Sequence, residues 1–177
     1  MRGLRMAELL TAAALSCAAA LPAAADEPLP MPETHSVCAA GGAYCAVADV
    51  IAEETRVMAG DTVLWTVPGW HRDIHLSADG ADLVIGYDGL DLLVDTDKRP
   101  ETVMLSFWHQ GAPVRDVTLS EIVADLDNLQ GTVSHYLWGY IRGFDPAGLL
   151  VVQTIESRML TFDPATGTIV ANVERPY

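Results

Sequence analysis

From about Tyr44 onward the chain alternates apolar and polar residues, or bunches apolar ones into short runs, and turn residues separate the segments. This is the period-2 pattern of half-buried strands. Candidate strands are "YCAVADV", "TRVMA", "TVLWTV", "DIHLS", "DLVIGY", "DLLV", "TVMLSFW", "VRDVTL", "YLWGYI", "LLVVQTI", "RMLTF" and "TIVANV". The turns between them include "SADG", "YDG", "HQGAP", "FDPAG" and "DPATG", all rich in the residues that reverse a chain. One segment breaks the pattern. In "SEIVADLDNLQG", Ser120 is suited to an N-cap, Glu121 to a first turn, and Ile122, Val123, Leu126 and Leu129 to one helical face, with Gly131 as a stop. The pattern therefore predicts one short helix near 120–129, set against an otherwise all-β domain.

The strands also repeat. A shift of 68 residues lays "SADGADLVIGYDGLDLL" from Ser77 over "DPAGLLVVQTIESRMLT" from Asp145, so that Gly80 meets Gly148 and Asp88-Gly89 meets Glu156-Ser157. A weaker copy begins at "GGAYCAVADV", where Gly42 precedes Gly80 by 38 residues. Self-similarity at this spacing marks stacked sheets or solenoid units. "LSADGADLVIGYDG" resembles a turn of β-propeller blades, and "VVQTIESRMLTFDPATGTIV" resembles the quinoprotein-like, YVTN-like blade repeats. The order of an LW strand, the "S.DG" turn, a "FW..G" strand and a "SHY.WG" stretch also resembles a group of uncharacterised exported bacterial proteins. The resemblance implies blade-like sheets and carries over no quinone or metal site, because such motifs specify turns. Closure of a propeller takes roughly four to eight blades, and this chain is too short for that. The expected architecture is two or three blade-like antiparallel sheets, as a partial propeller or a sandwich, with the helix covering an edge. Fragments of this kind can self-associate through their open ends.

The N-terminal region sets the expected compartment. Arg2 and Arg5 precede the apolar "LLTAAALSCAAAL", and Ala23-Ala24-Ala25 forms a small-residue cleavage site, the pattern of a secretory signal peptide. The expected organisation is a signal over 1–25, an exposed lead-in over 26–36 and a single β-rich domain over 37–177, in the periplasm or secreted. Lipid anchoring at Cys17 is the alternative, disfavoured by Ala14 three places before it. Cleavage would leave Cys38 and Cys45 in an oxidising compartment, where a disulfide is the default. In "VCAAGGAYC" a two-residue Gly41-Gly42 turn places the two cysteines directly opposite each other.

The chain carries 24 Asp and Glu against 10 Lys and Arg, a formal net charge of −14. That balance excludes an electrostatic case for nucleic acid or an anionic membrane face, and no segment reaches the roughly 20 apolar residues of a membrane span.

Candidate chemistry is sparse. His71 and His75 in "GWHRDIHLS" are a metal candidate, since residues four apart on one strand share a face, but no third ligand is indicated. Asp79, Asp82, Asp88, Asp91, Asp95 and Asp97 suggest calcium, yet they lack the EF-hand order and fit turns and strand ends. "TVSHYLWGYIRGF" stands out by its aromatic content, and strand alternation places Ser134, Tyr136, Trp138, Tyr140 and Arg142 on one face. That face is either core or a contact surface, because Trp, Tyr and Arg are the types that anchor binding. Ser134 and His135, as strand neighbours, should point to opposite sides and form no dyad. The sequence holds neither a G-x-S-x-G nor an H-E-x-x-H motif. The resulting expectation is a non-catalytic, cofactor-free module that binds an envelope or extracellular protein through Trp70, Tyr136, Trp138, Tyr140 and Arg142. A small metal or ligand carrier built on His71 and His75 is the rival.

Overall fold

Three hairpin turns of one design punctuate the chain, and each opens a four-stranded antiparallel sheet. A computed structural model describes residues 29–174. Sheet 1 is a meander of β1 (His35–Cys38), β2 (Tyr44–Asp49), β3 (Glu54–Ala59) and β4 (Thr62–Pro68). Sheet 2 contains β5 (Ile74–Leu76) and β6 (Asp82–Gly86), then β8 (Val103–His109) and β9 (Ala112–Thr118). Sheet 3 is again a meander, β12 (Gly139–Phe144), β13 (Leu150–Thr154), β14 (Arg158–Asp163) and β15 (Thr168–Glu174). The connections supply a fourth, small sheet in which β11 (His135–Leu137) lies between β7 (Leu92–Val94) and β10 (Gln130–Gly131). The chain is therefore all-β, with blade-like sheets. Ala25 and Cys17, on which the signal and anchor readings rest, lie outside the described residues.

The repeated turn lies between the first two strands of each sheet. Gly42, Gly80 and Gly148 have φ of 71°, 72° and 82°, and their amides donate to Ala39, Ser77 and Asp145 at 2.9, 3.0 and 3.0 Å. Each glycine thus occupies a left-handed position that a side chain would strain. The spacing of 38 residues between the first two copies is real throughout: Ala39 N–H donates to Tyr44 and Ser77 N–H to Asp82. The third turn is one residue tighter, since Asp145 N–H donates to Leu149. Beyond that turn the 68-residue alignment is off by one, and the positions that point to each side exchange.

That slip explains the packing. In sheet 2, Leu83 and Ile85 face sheet 1 while Val84 faces sheet 3, so β6 is buried on both sides. In β13 of sheet 3 the residues that face sheet 2 are Leu150 and Val152, which the unshifted alignment would have turned away. Asp88-Gly89 has no counterpart role either. The link from β6 to β8 is a long excursion carrying β7 and a 3-10 turn, whereas β13 and β14 are joined directly through Ile155, Glu156 and Ser157.

Two cores result. Between sheets 1 and 2 lie Ala46, Ala48, Val57 and Val67 against Ile74, Leu76, Leu83 and Ile85. Between sheets 2 and 3 lie larger residues, including Leu105 and Phe107 against Leu160 and Phe162, with the two phenyl rings 5.6 Å apart. Leu119, Ile122, Val123 and Leu129 close this second core.

The helix expected over 120–129 is shorter and broken. α1 (Leu119–Ile122) is a single turn that begins one residue before Ser120, where Thr118 N–H donates to Glu121 Oε2 at 2.9 Å. Val123 is extended, and a separate 3-10 turn covers Leu126–Asn128. Glu156 accepts the amides of Ala124 and Asp125, which diverts them from a continuing helical ladder.

The disulfide is present between Cys38 and Cys45, which are paired across β1 and β2 with Cα atoms 3.9 Å apart. The turn that achieves this spans 39–43 rather than two residues, and it conserves the expected register. β1 begins at His35, so the lead-in gives way to the first sheet two residues early.

Candidate interaction surface

The aromatic segment 132–144 does not form one strand. β11 ends at Leu137 and β12 starts at Gly139, and Trp138 between them turns inward. It is 1% exposed, and its indole N–H donates to the Leu90 carbonyl at 2.6 Å. Trp138 is core, which corrects its assignment to a contact surface. The switch depends on Gly139, because a Cβ there would meet the Gln153 carbonyl oxygen at 2.4 Å.

The break separates the expected face into two environments. Tyr136 packs against the second core beneath Lys98, whose Nζ lies 4.5 Å from the ring centroid, with Asp95 Oδ1 3.4 Å from the hydroxyl. Tyr140 and Arg142 remain together on the outward side of sheet 3. Tyr140 is 38% exposed, the guanidinium lies 5.5 Å over its ring, and Arg142 Nε and Nη2 donate to Gln153 Oε1 at 3.1 and 2.5 Å. The strand register extends this outward face across the sheet. Tyr140, Gln153, Met159 and Val173 form one row, and Val151, Thr161 and Ala171 the next. It is an open sheet face that mixes apolar and hydrogen-bonding groups around one cation.

Ser134 is also placed differently from the strand expectation. It precedes β11, and its Oγ lies 2.9 Å from His135 Nδ1 in an exposed turn. Alternation does not govern a residue outside the strand, so the expected separation of the two side chains fails.

Trp70 belongs to another surface. Its indole donates to the Glu33 carbonyl at 2.8 Å, its ring meets His35 edge-on, and the Arg72 guanidinium lies 5.0 Å from its centroid. Arg72 in turn donates to Pro30. Trp70 therefore fastens residues 30–35 to the link between sheets 1 and 2.

His71 and His75 do not share a strand face, because β5 begins at Ile74. His71 Nε2 approaches the end of β4 at Pro68 O, 2.9 Å away, whereas His75 Nε2 lies 2.9 Å from Asp73 Oδ1. No cluster of three His, Cys, Asp or Glu able to hold a metal ion occurs among the described residues.

The acidic run is dispersed through turns. Asp79 accepts Ser77 Oγ at 2.6 Å and the Ala81 amide, and these bonds hold its carboxyl below the usual range. Asp82 pairs with His109 at 2.7 Å and Asp88 with Arg72 at 3.5 Å. Asp97 accepts the Tyr87 hydroxyl, and burial followed by that bond pushes the phenol up to about 12.

One feature escaped the sequence reading. The three repeated turns converge, and with β1, β5 and β12 they line a cleft of about 720 Å³. Val37, Leu76, Phe144 and Pro146 make its apolar walls. Its carboxylates are already engaged, Asp145 Oδ1 by the amides of Ala147 and Leu149. The recurrence of the turn glycine was the available signal, but convergence of three copies is a property of the stacked sheets.

No family model matches the chain, and no curated protein matches it in sequence. Among solved structures it is similar to the β-propeller domain of Myceliophteria thermophila Cps50 (Swd1), at 14% identity and a TM-score of 0.40. The match covers 81% of this chain and 41% of that domain. Among the described residues no helix is long and apolar enough to cross a membrane.

Proposed function

We propose that this protein is an exported, non-catalytic module that binds another protein, and that the outward face of sheet 3 makes the contact. The observation that carries the reading is the exposed pairing of Tyr140 with Arg142 on a sheet face that also holds Met159, Val151 and Val173. A guanidinium fixed by Gln153 and lying over an aromatic ring loses little freedom on binding, which favours a contact role. Export rests on the signal-like N-terminus, and the Cys38–Cys45 disulfide is compatible with it. The partner class is an envelope or extracellular protein.

The test is a cross-linked pull-down from the native envelope, comparing the natural protein with a Tyr140→Ala, Arg142→Ala variant. Enrichment of one partner, lost in the variant, supports the reading. Equal recovery with both proteins removes sheet 3 from the contact.

A further inference from the structure

Successive sheets dock in one way, and that way is used twice within the chain. The side of sheet 1 bearing Ala46, Ala48 and Val57 meets the Leu83, Ile85 side of sheet 2. The opposite side of sheet 2 meets the corresponding Leu150, Val152 side of sheet 3. In both contacts a glycine from the turn between the third and fourth strands lies over the preceding sheet. A Cβ on Gly111 would meet Trp65 and Thr66 of sheet 1, and one on Gly167 would meet Arg115 and Phe107 of sheet 2. The equivalent glycine of sheet 1, Gly60, likewise has a positive φ, and a Cβ there would meet nothing within 4 Å among the described residues.

Two complementary faces are thus left over. Sheet 1 exposes its receiving side, where the Cys38–Cys45 disulfide, Met58 and Val63 form one row and Ser36, Val47, Arg56 and Thr66 the next. Sheet 3 exposes its delivering side, with Tyr140, Val151, Met159 and Val173. Val63 is 47% exposed and Val173 58%, so both faces leave apolar surface in water. Their charges are opposite in surplus. On sheet 1, Arg56 lies between two carboxylates, Asp49 at 2.9 Å and Glu54 at 3.4 Å. On sheet 3, Arg142 is hydrogen-bonded to Gln153 and has no carboxylate partner among the described residues.

We infer that the occupant of both faces is a second copy of this chain, and that two copies close head to tail into a ring of six sheets. Two copies related by a twofold axis bring sheet 3 of each against sheet 1 of the other. Both contacts are then identical and neither open face remains, whereas an arrangement that fails to close would propagate into a filament. Six sheets also fall within the roughly four to eight that a closed ring of this kind uses. The Arg142 of each copy meets the Asp49 and Glu54 carboxylates of the other, and Gly60 takes the position over β15 that Gly111 and Gly167 occupy on their neighbours. The inference rests on the binding role of sheet 3 and names its partner.

The experiment is sedimentation equilibrium on protein purified from cells expressing the full chain, in natural form, as Arg142→Glu, as Glu54→Arg, and as an equal mixture of the two variants. The natural protein is expected to give a two-copy particle, and each variant alone a single-copy one. The mixture is expected to recover the two-copy particle. One of its contacts then joins Arg142→Glu to Glu54→Arg, and the other keeps the natural pair. The chain carrying both substitutions should likewise pair with itself, which guards against variants that fail to fold. A natural protein that stays single-copy overturns the inference. So does a two-copy particle that neither substitution dissociates, or one that Glu54→Arg leaves intact. A single-copy protein whose envelope partner still depends on Tyr140 and Arg142 would sink the ring while leaving the binding reading in place. Loss of both results would sink the two together.

Discussion

The contact between sheets 1 and 2 and the contact between sheets 2 and 3 use matching strand positions but fill them differently. The first packs alanines and valines against aliphatic residues, and the second packs Phe107, Met104 and Leu105 against Leu160 and Phe162. Where the side chains are small, the sheet is held at its perimeter. Trp65 donates to the Gly80 carbonyl at 3.1 Å, Trp70 fastens the lead-in, and the disulfide locks the first hairpin. Where they are large, the contact is capped from above. α1 and the 3-10 turn cover it, and Glu156 ties them to sheet 3 through Ala124, Asp125, Asn128 and Arg158. One stacking rule therefore supports two modes of retention, one by edge fastening and one by volume.

Phe162→Ala should break the second contact with the largest effect, about 3–5 kcal/mol of stability, as for other buried phenylalanines. Chemical denaturation measures it, and a cost near zero would refute a volume-based contact.

The next effect is on the first contact. Replacing Cys38 and Cys45 by serine should cost roughly 2–3 kcal/mol, the amount expected for a short closed loop. Hydrogen exchange should show protection falling in β1 to β4 while β12 to β15 hold. Uniform loss across all sheets would contradict edge fastening.

The smallest effect sharpens the role of Glu156. Burial alone would raise its carboxyl, but the Ala124 amide, the Asn128 and Arg158 side chains and the Asp125 amide outweigh burial and hold it at about 2, below the ordinary 4.5. A depressed carboxyl stabilises the fold fully above the ordinary value, and that stability fades as pH falls from about 4.5 towards 2. Thermal melts of the natural protein and Glu156→Gln should therefore differ at pH 7 and converge through this window. A constant difference down to pH 3 would show that the charge of Glu156 does not anchor the segment.

Much of the fold was legible because it is local. Alternation located β2, β3, β4, β8, β14 and β15 to within a residue or two at each end, and glycine with its turn partners located the hairpins. Cys38 opposite Cys45 followed from spacing alone, since hairpin register depends on the residues between the strands, even though the turn proved wider than expected. The helix was only half legible. Ser120 to Leu129 has helical spacing, but the amides of Ala124 and Asp125 are captured by Glu156, a residue distant in sequence and adjacent only in the fold.

The candidate surface was less legible for the same reason. Tyr140 and Arg142 share an outward face, as strand alternation requires. Trp138 belonged to the same alternating set, yet Gly139 ends the alternation, and the core between sheets 2 and 3 had space for an indole. His71 and His75 are four apart in sequence, but the strand that would have aligned them begins only after His71.

The sequence by itself determined the strands, the turns and the disulfide, because each depends on backbone preferences and side chains a few residues apart. Only the tertiary structure decided which side of each sheet is buried. A turn one residue shorter at Asp145 leaves every strand in place and exchanges the two sides of sheet 3, and only the neighbouring sheet distinguishes the side that is covered from the side left open.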